Sequence, residues 1–512
     1  MRMQERKTIS VVVFLTFVFG AILTIFSVIT PVFSGPDDDF HLGSIWCSEG
    51  IDETKCKGVS RDEYTSYGQV PPDLFSLIAC KGRNISEISD CSAETPRDTP
   101  TNVRINSGAY PSGFYRFFHN FILSDAKDSV LVMRIVNIFI FISILVFSAL
   151  LLNRERVLKL FFSIILTAIP FPIFLMGTNN PQTWSLLVVI PMYFVISQIL
   201  DDLENQKETR VLTKNIFLII TTVMAISSRG DGIYLLAFLF TVCALNHFQR
   251  FNKRISIFFM SWISILVIMN LNFGPKSLKL SSAKMPSENE SYSLHNILEL
   301  PAFLLGVLGG KGDSGYLSLG SYDLPLPSIS WAFLTLSIAA ISLFRFEMKS
   351  KGLTVLISLL AVVFIALYGL NQQSASTSGF FQPRYLLPFL MVAATALVDM
   401  NLNFATDRRI LFIFAGLFVS FCSFAYAVIL RYSTGINVED NKYLEIFSAP
   451  NPYVAKNSIV WTELTGRTQG VIEMNSRLTF IILAILWFLL LYALFYLKRS
   501  HSLTLRVLHK KT

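Results

Sequence analysis

Long apolar runs alternate with short polar breaks along most of the chain. Runs that read as candidate spans fall near 9–30, 130–152, 158–177, 183–200, 215–228, 233–248, 255–272, 327–344, 353–370, 385–400, 410–430 and 478–497. Lipid offers no partners for backbone N–H and C=O groups, so a spanning segment must be a helix of roughly 17–25 residues. The runs at 215–228 and 233–248 are short for that, and read either as extending into their flanks or as a helical hairpin. The pattern predicts an all-α polytopic membrane protein with about twelve transmembrane helices.

The polar breaks fall into two alternating sets. One set is basic. It holds Arg2, Arg6 and Lys7; Arg154, Arg156 and Lys159; Lys207, Arg210 and Lys214; Arg250, Lys253 and Arg254; Arg345, Lys349 and Lys351; Arg408 and Arg409; and Lys498, Arg499, Arg506, Lys510 and Lys511. Cytoplasmic loops of membrane proteins carry such an excess of Lys and Arg. Both termini are therefore expected in the cytoplasm, in a multi-pass protein of the plasma membrane. The other set contains the long segments 31–128, 273–326, 371–384 and 431–477, expected outside. The chain then divides into a first transmembrane helix (1–30), an extracytoplasmic loop (31–128), a bundle (129–272), a loop (273–326), a second bundle (327–430), a loop (431–477), and a last helix with a basic tail (478–512). The run from Ile9 to Ile29 lacks an Ala-x-Ala-like cleavage site and reads as an uncleaved span.

Composition agrees. Charged residues make up 15% of the chain and hydrophobic ones 52%, against about 25% charged in soluble proteins. A net charge of +8 invites a nucleic-acid reading. Every alternate loop is basic, which makes the charge mostly a topology signal instead, so the expected partner is the lipid bilayer and no nucleic acid.

The first long loop carries Cys47, Cys56, Cys80 and Cys91, most of the 6 cysteines in the chain. Such clustering in an outward loop points to disulfides in an oxidising compartment. Pairs Cys47–Cys56 and Cys80–Cys91 each close a short loop and are favoured on that ground; free thiols are the alternative. Cys243 and Cys422 lie inside apolar runs and read as core residues. The cysteine spacing does not suit zinc.

At the head of the same loop stands Gly35-Pro36-Asp37-Asp38-Asp39-Phe40-His41. Carboxylates beside a membrane are costly unless they bind, move protons or cap a helix. Phe40, Leu42, Ile45 and Trp46 share helical spacing, which predicts a short interfacial helix with the aspartates at its N-terminus. Capping is the plain reading and chemistry the sharp one. Neighbouring carboxylates are expected to raise one another's pKa. At the far end of the loop, Tyr110, Phe114, Phe117 and Phe121 predict a second interfacial helix, for which aromatic anchoring suffices as explanation.

Further polar clusters share the outer side. Gly177-Thr-Asn-Asn-Pro-Gln182 turns the chain; Ser227-Ser-Arg-Gly-Asp231 sets Arg229 near Asp231; Gln382-Pro-Arg-Tyr385 sets Arg384 at a span start. Each has a structural explanation in turning, pairing or snorkelling. Together they make a face able to hold phosphate, which arginine grips through a planar fork. Segment 301–310 is too short to span and reads as dipping into or lying on the outer leaflet.

The order of first span, Pro36-Asp37-Asp38-Asp39-Phe40-His41, long outer loop, Tyr110-Pro-x-x-Phe114-Tyr115 and Arg134-Ile-Val-Asn137 resembles the GT-C superfamily of membrane glycosyltransferases. More closely, the chain is similar to a bacterial family of predicted membrane proteins of unknown function (domain of unknown function 2142). That family has a Pro-Asp-Glu-x-x-His-like stretch after the first span and a Gly-Arg-Tyr-Leu-Leu-Pro-like stretch late in the chain. Here these are Pro36 to His41 and Pro383-Arg384-Tyr385-Leu386-Leu387-Pro388. Asp38 stands where Glu is usual and keeps a carboxylate; Pro383 replaces a glycine.

The superfamily resemblance implies inverting sugar transfer at the outer face, from a polyprenyl-phosphate-sugar donor to a glycan, lipid or protein acceptor. Asp37 matches the acidic position and is the expected base, or holds the acceptor through a divalent cation. Asp38 is the second carboxylate and His41 a partner. Arg229 and Arg384 are candidates for the phosphate, with Tyr110 and Tyr385 beside the substrate. A transporter or flippase of lipid-linked saccharides is the second reading, and a non-catalytic envelope-assembly protein the third. Against transport stands the gathering of polar residues on one surface, where transporters carry sites near the midplane.

Overall fold

The computed structural model describes residues 2–30, 35–50, 56, 59–61, 66–71, 74, 101–106, 110–206, 210–250, 252–273, 300, 304, 311–312, 315–316, 318–319, 324–325, 327–342, 350–375, 383–401, 407–434 and 476–509. Every predicted apolar run carries a helix. They are α1 (Arg2–Ile29), α4 (Ala126–Leu151), α5 (Arg154–Ala168), α6 (Phe171–Met176), α7 (Gln182–Glu204), α8 (Val211–Ser228), α9 (Gly232–Asn246), α10 (Lys253–Phe273), α11 (Ser328–Ser342), α12 (Ser350–Ala375), α13 (Leu387–Asn401), α14 (Asp407–Thr434) and α15 (Ser476–His509).

Among the described residues, 7 helices are long and apolar enough to cross a membrane, fewer than the predicted number. The expected span 158–177 is two helices, because Pro170 restricts the residue before it to extended geometry. Ile169 is extended (φ −92°, ψ 142°), and α5 stops at Ala168. The short runs at 215–228 and 233–248 form α8, which extends back to Val211 and reaches spanning length, and α9, which does not.

α7 is the hub. Every residue from Pro181 to Leu200 is buried, and α7 packs against α4, α5, α6, α8, α9, α10 and α13. A helix apolar or buried all round belongs at the centre of a bundle. α1 lies against α4 and α15, and α14 joins α15 to α11. The Phe421 and Trp487 rings stack at 4.3 Å between α14 and α15. On the outside, α10 leaves Ile257, Met260, Ile263, Val267 and Leu271 exposed at helical spacing. Contiguous apolar stripes of that kind mark a lipid-facing or partner-facing surface.

The first long loop is not helical throughout, a departure from the all-α expectation. It holds α2 (Asp38–Trp46), β1 (Val59–Arg61), β2 (Ser66–Val70), β3 (Thr101–Ile105) and α3 (Gly113–His119). The strands form an antiparallel sheet in the order β1-β2-β3, with Tyr67 opposite Arg104 and Gly68 opposite Val103. In β3, Val103 and Ile105 are buried and Arg104 is exposed, the period-2 alternation of a half-buried strand. Short strand pairs β4 (Lys311–Gly312) with β5 (Gly315–Tyr316) and β6 (Ser318–Leu319) with β7 (Leu324–Pro325) follow later.

α2 is not an interfacial helix. Asp38, His41, Leu42, Gly43, Ser44, Ile45 and Trp46 are all buried, because β3 and α3 cover it. A Cβ on Gly43 would lie 2.8 Å from Val103 and 3.0 Å from the Arg104 carbonyl, so glycine permits this approach. Ser44 Oγ accepts from Asn106 N–H at 2.8 Å. Cys47, directly after α2, is disulfide-bonded to Cys56 as expected. Cys80 and Cys91 lie outside the described residues. Cys243 and Cys422 are free, the first buried. The second predicted interfacial helix is α3, whose Phe114, Tyr115, Phe118 and His119 are buried, while Tyr110 and Phe121 fall outside it. Of 301–310 only Leu304 is described; it packs against the core.

Candidate functional site

At the Gln182 end of α7, the turn 35–37 meets the start of α13 and the end of α8. Gly35 N–H donates to Asp38 Oδ2 at 3.0 Å. A Cβ on Gly35 would lie 2.6 Å from that carboxylate, so a side chain there would push the Asp38 carboxylate aside. Asn180 Nδ2 donates to the Pro36 carbonyl at 2.9 Å. Asp38, fully buried, is thus committed to the turn. Asp37 sits in the left-handed region (φ 57°), which Asp and Asn tolerate better than most residues. Its carbonyl accepts from His41 N–H at 2.9 Å and starts α2. Its side chain makes no capping hydrogen bond, so the plain reading of Asp37 as a cap does not hold. The carboxylate faces away from the helix and pairs with the Arg384 guanidinium.

Arg384 is only 1% exposed. It lies in a single helical turn, Pro383–Leu386, ahead of α13. Gln182 Nε2 donates to its carbonyl at 2.7 Å. Asn180 and Gln182 therefore clamp the two halves of the site together from one linker. Arg229, at the end of α8, is also buried and grips Asp231 through two bonds of 2.7 and 2.8 Å. The Tyr385 ring serves both arginines: Arg229 Cζ lies 4.5 Å from its centroid and Arg384 Cζ 5.4 Å. Such contacts favour guanidinium over ammonium.

An aromatic wall completes the site. His41 Nδ1 and the Tyr115 hydroxyl share a hydrogen bond of 3.0 Å. The Tyr110 ring stands edge-on to His41 at 5.6 Å and near Phe40 at 5.7 Å. Burial pushes His41 down to about 3, overriding the pull of Asp37, so its imidazole is neutral. Burial likewise raises the Tyr110 and Tyr115 phenols, which stay protonated.

Asp37 departs from expectation. Burial works to raise its carboxyl, but the charge and hydrogen bond of Arg384, with His41, hold it below the ordinary carboxylate range. The carboxylates do not dominate one another, because Asp39 is drawn off by Arg104 at 3.0 Å. The site therefore presents an ionised carboxylate, two buried guanidinium groups, and neutral imidazole and phenol groups. Among the described residues no three His, Cys, Asp or Glu converge, so this donor set does not form a protein cage for a divalent cation. The arrangement suits an anion carrying a hydroxyl-rich group.

The structure brings together Asp37, His41, Tyr110, Arg229, Arg384 and Tyr385, and assigns Asp38 to the turn. Sequence reasoning missed Tyr115, Asn180 and Gln182. Tyr115 stood in the quoted Tyr-Pro-x-x-Phe-Tyr stretch, and the other two in a linker read only as a turn. Arg134, in the second span, donates to the Ser27 and Thr30 carbonyls at 2.9 and 2.6 Å. It anchors the C-terminus of α1 just before the Asp37 turn.

Also missed was a second ionic network at the other end of α7. Arg156 pairs with Asp201 at 2.5 Å, Lys159 with Asp399 at 2.8 Å, and Lys214 with Asp202. The polar residues therefore gather at both ends of α7 and not on one surface alone, which corrects one of the grounds raised against transport.

Comparison with curated proteins and with solved structures finds no match. The family model described as predicted membrane protein (DUF2142) matches residues 18–393, which takes in both the Asp37 turn and the Arg384 turn. With helices fit to span a bilayer and that match over most of its length, the chain is a membrane protein belonging to the DUF2142 family.

Proposed function

We propose that the protein is a GT-C-type inverting glycosyltransferase. It moves a sugar from a polyprenyl-phosphate donor to a glycan, lipid or protein acceptor of the cell envelope, at the outer face of the plasma membrane, with both termini cytoplasmic. The observation that carries this reading is the pairing of Asp37 with Arg384, 347 residues apart, beside a second buried arginine. A membrane enzyme that releases a lipid phosphate needs fixed cations for the leaving group and an ionised base nearby.

Arg384 and Arg229 flank the donor phosphate. The phosphate takes the guanidinium that Asp37 holds at rest. Freed from Arg384, the carboxyl loses what keeps its pKa low, and burial then raises it into a better range for a base. The acceptor oxygen attacks the anomeric carbon and passes its proton to Asp37. The carbon–oxygen bond to phosphate breaks, and its electron pair leaves on the phosphate oxygen facing the arginines. Tyr110 and Tyr385 border the sugar, and the neutral His41, hydrogen-bonded to Tyr115, positions the wall behind Asp37. No step is routed through a metal.

A flippase or transporter of lipid-linked saccharides is the second reading, favoured by the buried ionic network at the far end of α7. Purified protein in nanodiscs, given a polyprenyl-phosphate hexose and a hydroxyl acceptor, separates the two. Transfer releases polyprenyl phosphate, detected by mass spectrometry. Movement of an intact lipid-linked saccharide between the leaflets of a liposome, with none cleaved, supports transport instead.

A further inference from the structure

The sheet of the first long loop reaches the Asp37 site from the solvent side. In β3, Val103 and Ile105 are buried and pack close to Gly43 of α2. Alternation along the strand turns Arg104 between them outward, where its side chain is 49% exposed. That side chain reaches the first turn of α2, and its Nη2 donates to Asp39 Oδ2 at 3.0 Å. Asn106, just past the strand, fixes its end. Its N–H donates to Ser44 Oγ at 2.8 Å. Its side chain takes both backbone groups of Tyr110, Oδ1 accepting from the N–H at 3.0 Å and Nδ2 donating to the carbonyl at 2.8 Å. Arg104 is therefore presented by a strand tied both to α2 and to the tyrosine of the site wall.

Three carboxylates in a row need separate partners. Asp38 is taken by the Gly35 turn and Asp37 by Arg384. Asp39, two residues from Asp37 and 20% exposed, is taken by Arg104. Burial and the charge of Asp39 both work to raise the Asp37 carboxyl, and Arg384 with His41 outweighs them. Burial works against the Arg104 cation, but the hydrogen bond and charge of Asp39, with the charge of Asp37, raise it above its ordinary value. Arg104 thus stays charged and offsets Asp39 at close range. Without it, the full charge of Asp39 acts on Asp37.

Other groups surround Asp37. Arg384 and Tyr385 stand in the turn ahead of α13, and Arg229 with Asp231 at the end of α8. Tyr110 and Tyr115 come from beside and within α3, and His41 from α2. The imidazole is neutral above about 3 and both α3-side phenols stay protonated. Asp38 and Asp231 are further carboxylates, so an Asp37→Asn control is needed to assign any acid-dependent change to Asp37.

We propose, on the reading that a lipid phosphate and Asp37 compete for Arg384, that Arg104 is a positioning residue: by neutralising Asp39 it lets Asp37 hold the Arg384 guanidinium until the phosphate arrives. Arg104 touches neither the phosphate nor the sugar. It acts through Asp39 on the strength of the Asp37–Arg384 pair, and so sets the pH at which that pair gives way.

The test is a binding titration with the full chain in nanodiscs. The probe is farnesyl methyl phosphate, a diester that keeps a single negative charge throughout mildly acidic pH. Its affinity should rise as acid protonates Asp37 and releases Arg384, and the midpoint of the rise reports Asp37. Arg104→Gln, at a half-exposed side chain, should move the midpoint up by roughly 0.5–1 pH unit. Arg104→Lys keeps the charge and should restore most of the shift. Asp39→Asn should move the midpoint down. Arg104→Gln combined with Asp39→Asn removes both charges and should return it close to the wild-type value. If Arg104→Gln alone fails to fold, the rise of the midpoint from Asp39→Asn to the double variant decides the matter. An unmoved midpoint in folded Arg104→Gln overturns the proposal alone, as does a double variant that keeps the Arg104→Gln shift, the result expected if Arg104 only holds the strand. A wild type with no rise, or a rise that Asp37→Asn leaves unchanged, overturns it together with the competition for Arg384.

Discussion

Replacing Asp37 by Asn separates the roles that this residue could play. Asn tolerates the left-handed backbone at φ 57°, so the turn is undisturbed. What is lost is the charge facing Arg384. A hydrogen bond to a charged group contributes about 1.5–3 kcal/mol. The Asp37 side chain is 31% exposed while Arg384 is 1% exposed, so solvent screening trims the pair to about 1–2 kcal/mol. The Asn variant should lose stability of about that size. The same energy no longer opposes a phosphate that competes for Arg384, so lipid-phosphate affinity should rise roughly 5- to 30-fold. Turnover should nonetheless fall by about two to four orders of magnitude, the usual worth of a positioned base. Titration calorimetry with farnesyl phosphate reads the affinity, and mass spectrometry of a saturating polyprenyl-phosphate hexose reads turnover. Weaker phosphate binding in Asp37→Asn would mean that Asp37 helps to hold the ligand. Normal turnover would reduce the Asp37–Arg384 pair to a structural lock.

Arg384→Lys and Arg229→Lys keep the charge but lose the fork and the stacking on Tyr385, so each should lower turnover at least tenfold at normal protein levels; unchanged turnover and farnesyl phosphate affinity in both would make them anchors. His41 is neutral when folded, at about 3, and ordinary at about 6.5 when unfolded. Between those values the unfolded chain binds more protons, so acid destabilises the fold. The loss should be on the order of 1 kcal/mol between pH 7.5 and 5.5, and His41→Gln should flatten that part of the slope in thermal melts. Peptide mapping without reduction should show Cys80–Cys91 beside Cys47–Cys56; alkylation of Cys80 and Cys91 as free thiols contradicts the second pair. Reducing the first frees the end of α2 and should cost roughly 2–5 kcal/mol.

The helices were legible because a lipid environment writes them as long apolar runs. The break at Pro170 was a local rule left unapplied. The sheet in the first loop was not legible: β1 and β2 are short and rich in Ser, Tyr and Gly, and β3 lies 30 residues beyond them. Most site residues were legible as polar clusters at span ends, since polarity there needs a reason. Their partners were not. Asp37 and Arg384 are joined only by folding, as are Lys159 and Asp399, 240 residues apart. The second network was hidden for a further reason. Arg156, Lys159 and Lys214 lie in basic loops, where the positive-inside pattern already accounted for them, yet the fold buries all three in ion pairs.

The central claim is lipid-phosphate sugar transfer by the Asp37–Arg384 site. Mass spectrometry of lipid-linked sugars and envelope glycans tests it most directly, in cells carrying the wild type, the Asp37→Asn variant at equal protein level, or no copy. Transfer predicts that the last two accumulate a monosaccharide lipid and lose the same sugar from one envelope glycan. A wild-type profile in Asp37→Asn, or accumulation of a finished oligosaccharide lipid, would contradict it.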